Sequence, residues 1–86
     1  MQMQHQPSKV IRIQAPVKFF SRNKGYGFIK RPNVKLDIFF SAQELDNANI
    51  SSIGENDILE FDLIPVQGKG GKARNLKLIS KVKNEG

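Results

Sequence analysis

Apolar and polar residues alternate along most of the chain, and no stretch of ten or more repeats with the 3.6-residue period of a helix. In "VIRIQAPVKFF" the residues Ile11, Ile13, Ala15 and Val17 share one parity, and Arg12, Gln14, Pro16 and Lys18 the other, as in a strand with one wet face. Pro16 has no donor for a ladder, so this strand is expected at an edge or bulged there. "GYGFIK" puts Tyr26 and Phe28 opposite Gly27 and Ile29, and "DIFFS" puts Ile38 and Phe40 opposite Phe39 and Ser41. "DILEFDLIPV" turns Leu59, Phe61 and Leu63 inward with Glu60 and Asp62 outward, and "ARNLKLIS" puts Leu76 and Leu78 on one face. Five strands are predicted, at 10–20, 25–31, 37–41, 57–65 and 72–80.

The segments between them carry turn chemistry: "SRNKG", "RPNVKLD", the long "AQELDNANISSIGEN" and "QGKGG". The long connection, between the third and fourth strands, has room for one helical turn. Five short strands with this spacing predict an all-β protein, a five-stranded antiparallel OB-type barrel whose closure removes the exposed edges of an open sheet. At 86 residues the chain is sized for one domain with a modest core, and the barrel is assigned to residues 10–81 between a flexible Gln-rich tail at 1–9 and a short tail at 82–86.

By parity, Tyr26, Phe28 and Phe39 face water while Ile29, Ile38 and Phe40 face inward. Leaving a Phe outside forgoes about 1.5–3 kcal/mol of burial, a sacrifice that points to a partner for the rings. Lys18, Lys24 and Lys30 frame the same surface, Gly25 and Gly27 keep the strand slim between rings, and the chain carries a formal charge of +6, with 14 Lys and Arg against 8 Asp and Glu. Bases stack on rings and phosphates pair with ammonium groups, so the pattern fits single-stranded RNA or DNA.

The run "VKFFSRNKGYGFI", followed by "DIFF" and the late "GKGGKARNL", resembles the cold-shock domain, a nucleic-acid-binding OB barrel, over about residues 12–79. The resemblance implies that Lys18, Phe19, Phe20, Lys24, Tyr26, Phe28 and Phe39 occupy nucleic-acid-contacting positions and that Lys69 is a basic position of the last loop. It implies single strands as ligand, a mild pyrimidine preference, and a role as RNA chaperone or as a transcriptional or post-transcriptional regulator. Phe19 stands where the family usually has tryptophan and Ser41 where it usually has histidine, so two stacking partners are smaller or missing.

Alternation alone turns Phe19 inward with Val17, whereas the resemblance brings Phe19 and Phe20 to the ligand side, with Phe20 sharing the parity of Lys18. Arg74 shares parity with Leu76 and Leu78, where the family has a small residue, which suggests a place at the barrel mouth. Lys72 and Arg74 are further candidates for phosphate contacts. Ser41 opens "SAQE", the spacing of a capping box, and is read either as a helix cap or as a base contact. Asp37 is read either as a strand-start residue or as an acceptor for a cytosine amine.

Catalysis has little to work with. The single histidine, His5, lies in the tail, there are no cysteines, and no pair of carboxylates is spaced for a metal-dependent nuclease, so no enzyme, metal or cofactor is expected. With neither a signal peptide nor an apolar span, the protein is expected to be cytoplasmic, with no membrane partner, and a monomer. The alternative reading is a protein-interaction module that uses the aromatic face to hold another protein.

Overall fold

The computed structural model describes residues 10–82; the tail expected at 1–9, with His5, and residues 83–86 lie outside the described residues. Five strands and one short helix follow in the order β1 (Ile11–Ser21), β2 (Tyr26–Ile29), β3 (Ile38–Ser41), α1 (Ala42–Asn47), β4 (Ile58–Ile64) and β5 (Lys72–Ser80). The strands close into a barrel in the order β1-β2-β3-β5-β4.

All neighbours are antiparallel except β3 and β5, which run parallel through the pairing of Phe39 with Lys72. The expectation of a wholly antiparallel barrel is thereby corrected, and the reason is topological. Alternating directions cannot be kept around a closed ring with an odd number of members, so one parallel seam is unavoidable.

β1 serves both halves of the barrel. Residues Ile11 to Pro16 pair with β4, and Val17 to Ser21 pair with β2. Pro16 sits at the handover: its carbonyl accepts from the Lys30 N–H at 2.9 Å, just past the end of β2, while on the β4 side Val17 still donates to the Asp57 carbonyl at 2.8 Å and accepts from the Asn56 N–H at 2.7 Å. A bulge follows between Val17 and Phe19. Ile11, expected inside, is 58% exposed because the first residue of the strand overhangs the barrel end.

Most of the predicted inward set forms the core, with Ile13 and Leu78 only partly buried and Ala73 joining it. Val17, Ile29, Ile38, Leu59 and Phe61 are wholly buried, Phe40 is 1% exposed, and Ala15, Leu63, Ala73 and Leu76 close the ends. Leu45 of α1, which packs against β3 and β5, and Ile50 beyond it join the same core. Ser41 is the N-cap of α1, its hydroxyl accepting from the Glu44 N–H at 3.4 Å, which settles the capping reading of that residue. At the other end of the chain a second bulge, at Asn75 with φ 54°, shifts β5 so that Ala73 and Leu76 both point inward. Arg74 therefore leaves the Leu76 face and lies on the outside, which corrects its expected place at the barrel mouth.

Asp57 is the one polar residue among the described buried ones, at 3% exposure. Its carboxylate accepts from the N–H of Val82 (2.7 Å), the N–H of Gly54 (2.8 Å) and Lys81 Nζ (3.2 Å), tying the end of β5 to the loop before β4. Burial opposes ionisation of this carboxyl, but the two N–H donors and the Lys81 ammonium together outweigh it and hold the pKa below the ordinary 3.8.

Two outcomes follow. Phe61→Ala opens a cavity at the centre and costs about 3–5 kcal/mol, measured by denaturant unfolding. Asp57→Asn leaves a buried cluster of donors short of a charged acceptor, a loss of about 1–3 kcal/mol near neutral pH. Because the folded pKa is the lower one, the native carboxylate stabilises above the ordinary aspartate pKa and its contribution fades as pH falls through the lowered value. Melts of wild type and Asp57→Asn therefore differ most above the ordinary aspartate range and converge as pH falls through the lowered Asp57 pKa.

Candidate nucleic-acid interface

Cross-strand pairing assembles the rings. Register places Phe28 opposite both Phe19 on β1 and Phe39 on β3, and Tyr26 opposite Ser21 and Ser41. Tyr26, Phe28 and Phe39 form a mutually touching triad: 5.8 Å between Tyr26 and Phe28 at 77°, 5.8 Å between Tyr26 and Phe39 at 34°, and 6.0 Å between Phe28 and Phe39 at 71°. Edge-to-face contacts hold two of these pairs, so each ring is braced by its neighbours while presenting surface to solvent. Phe39 is 39% and Phe19 41% exposed; Tyr26 and Phe28 are half-buried.

The bulge in β1 resolves the conflict over Phe19 and Phe20. An extra residue between Val17 and Phe19 leaves Lys18 and Phe19 both exposed, and the alternation resumes out of phase. Phe20, expected beside Lys18, is thus turned to the other face, where it stacks on Phe40 at 5.7 Å and 16° and packs against the core, with the Arg22 guanidinium 5.5 Å above its ring. Gly27 lies on that inner face too, and its missing Cβ makes room for Phe40 beneath rather than for rings above: a Cβ there would lie 2.7 Å from Phe40 Cζ.

The basic residues are spread around this platform. Lys18 Nζ forms an ion pair of 2.8 Å with Asp37, a partner 19 residues away. Asp37 is thereby a strand-start residue already engaged by a lysine. Lys24 is exposed in the β1–β2 turn, whose geometry is fixed by Gly25 at φ 83° and by bonds from Gly25 and Lys24 N–H to Ser21. Exposed Lys30 reaches Asn56 Oδ1 at 3.3 Å, toward the β3–β4 connection. Lys72 is exposed opposite Phe39, and Arg74, also exposed, lies 3.9 Å from Glu44.

Lys69 stands apart from the rings in the β4–β5 turn, beside Arg31, Val66 and Gly70. That turn is nonetheless fastened to the platform. Gly70 lies so close to the Leu36 and Asp37 carbonyls that a side chain has no room, and Arg31 Nη1 donates to the Gly70 carbonyl at 3.0 Å. The buttressing role of Arg31 has no signal in the sequence, since its partner lies 39 residues away and is a backbone atom.

The opposite side of the barrel has a different character. Arg12 donates to Glu60 (2.6 Å) and Asp62 (2.9 Å), Gln14 to Glu60 (3.0 Å) and Asn75 to Asp62 (2.6 Å). Arg12 above all lowers the Glu60 pKa, and Asn75 with Arg12 lowers that of Asp62, so both stay ionised. Lys77 beside Glu60 and Arg74 beside Asp62 add to the compensation of these two carboxylates. Among the described residues, no group of three or more His, Asp or Glu is gathered to hold a metal ion, and no helix is long and apolar enough to cross a membrane.

Residues 13–79 match the family described as the "'Cold-shock' DNA-binding domain", a stretch that reaches into all five strands. The chain is 31% identical over 67 residues to a cold shock-like protein of Aquifex aeolicus, covering 78% of this chain and 94% of that one. It is 30% identical over 66 residues to a probable cold shock protein A of Mycolicibacterium smegmatis, covering 77% of this chain and 97% of the relative. Similarity extends to human Y-box-binding protein 3, 32% over 69 residues, where the matched part is 18% of the longer protein. The barrel, its ring-bearing face and the family match agree: the chain belongs to the cold-shock domain family and is a nucleic-acid-binding protein of the cold-shock type.

Proposed function

We propose that the protein binds single-stranded RNA or DNA by stacking bases on Phe19, Tyr26, Phe28 and Phe39 while Lys18, Lys24, Lys30 and Lys69 take the phosphates. The observation that carries this reading is the braced triad of Tyr26, Phe28 and Phe39, held partly in water with lysines at its margins. Rings buttressed by one another keep their orientation without a ligand, so little order is lost on binding. Stacking is indifferent to base identity in the main, which suits an RNA chaperone or a regulator that engages many transcripts. Such a protein acts by holding strands open and catalyses nothing, and it would do so in the cytoplasm as a monomer with one strand per barrel. Phe20 contributes from beneath, by fixing Phe40 and with it the β3 side of the platform.

Two measurements test this. Titration of dT7 detects binding, and if about four phosphates are neutralised its log K falls against log salt with a slope near −3, at about −0.7 per phosphate. A contact with an apolar protein partner lacks that slope, so salt also separates the two readings of the aromatic face. Phe28→Ala and Phe39→Ala each weaken dT7 binding by about 1–3 kcal/mol and leave a folded barrel. Absence of dT7 binding at low salt, or unfolding by Phe28→Ala with affinity per folded molecule intact, refutes the proposal.

A further inference from the structure

A capping box closes in both directions: the cap hydroxyl takes the N–H of the third helical residue, and the glutamate at that residue takes the N–H of the cap. Only the first half forms here. Ser41 Oγ accepts from the Glu44 N–H, while among the described residues the Glu44 carboxylate receives no hydrogen bond. Its nearest cation, Arg74 Nε, stands at 3.9 Å, too far to donate one. Yet the Glu44 side chain is only 22% exposed. Carboxylates elsewhere on the barrel, at Asp37, Asp57, Glu60 and Asp62, accept bonds of 2.6–3.2 Å from side chains or backbone. A half-covered carboxylate without a donor is costly to keep, and its lone pairs are available to a ligand.

The surroundings say which ligand. Glu44 and Arg74 together line two adjoining hollows, of about 310 and 330 Å³, between α1 and β5. The first begins at Phe39 and Ser41 and is flanked by Lys72, so it continues the aromatic platform at the point where the rings stop. A strand lying on Phe39 has its next nucleotide over this groove, with Lys72 beside the phosphate. Stacking gives way there to a carboxylate and a guanidinium side by side, two acceptors next to a donor.

We propose that this groove is a base-reading subsite selective for guanine, with Glu44 accepting from guanine N1–H and N2–H and Arg74 donating to O6. The inference rests on the single-strand binding proposed above and adds to it a specificity that stacking does not supply. Guanine alone presents two adjacent donors followed by an acceptor on its Watson–Crick edge, the edge read in single strands. Adenine and cytosine set a ring-nitrogen lone pair beside their amino group, facing the carboxylate. Thymine and uracil flank their one N–H with two carbonyls, which the carboxylate repels.

The experiment compares dT7 with heptamers carrying one dG at the first or at the last position. One of the two dG heptamers binds about tenfold tighter than dT7, within the discrimination of a bidentate base contact. Deoxyinosine at that position, which lacks the N2 amino group, loses most of the gain. Glu44→Ala and, as a second variant that keeps the side chain's size, Glu44→Gln both bring the dG-to-dT ratio toward one. Using the ratio removes the general rise in affinity that follows loss of a negative charge. A ratio near one at both ends in the wild type, with dT7 bound, overturns the subsite and leaves the stacking reading standing. A ratio that survives both Glu44 variants overturns it as well, and failure to bind dT7 at all removes both proposals.

Discussion

Gly27 has no side chain, and the vacancy is filled from two directions, by the Phe40 ring from β3 and the Phe19 carbonyl from β1. Everything about the ring-bearing face depends on that close approach. With Phe40 seated under β2 and Phe20 stacked against it, the strand is supported from below, and its outward neighbours Tyr26 and Phe28 are held at a fixed height beside Phe39. A methyl at position 27 pushes against backbone on one side and a buried ring on the other, so β2 lifts and core and platform are disturbed together. The residues that stabilise the barrel and those that would meet a ligand are thus two faces of one four-residue strand.

Charge is sorted with the same economy. Lys18 and Lys72 stand next to the ring-bearing positions Phe19 and Phe39, while Glu60 and Asp62 share Arg12 on another face of the barrel. Even on the ligand side one lysine is restrained: Lys18 is paired with Asp37, itself pressed against Gly70 of the β4–β5 turn. Exposed ion pairs are weak, so under the proposed binding mode a phosphate would displace Asp37 from Lys18 at little cost.

Alternation sufficed to read the core, because buried parity in Leu59, Phe61 and Leu63 or in Ile29, Ile38 and Phe40 follows directly from pleat geometry. It also located the three rings of the triad. It failed wherever the pleat was interrupted. Phe20 and Arg74 were both assigned to the wrong face, and each lies just beyond or beside a bulge, where one extra residue reverses inside and outside. Pro16 signals an irregularity near the first bulge without fixing its position, and nothing in "ARNLK" announces the second. Contacts such as Arg31 to Gly70 or Glu44 beside Arg74 bring together residues about thirty or more apart and depend on the barrel's closing, which a one-dimensional pattern does not encode.

The parallel junction of β3 and β5 rests on the Phe39–Lys72 pairing and the bond from the Phe39 N–H to the Gly71 carbonyl at 2.9 Å. With a single register pair it is the shortest ladder of the barrel, and a short ladder has the fewest bonds to resist local opening. A polymer lying from Phe39 across to Lys72 bridges that ladder like a suture, and by mass action whatever prefers the sutured form also suppresses the open one. Under the proposed binding mode, occupancy of the face and closure of the barrel become one equilibrium, so a strand seated there would make the protein more rigid.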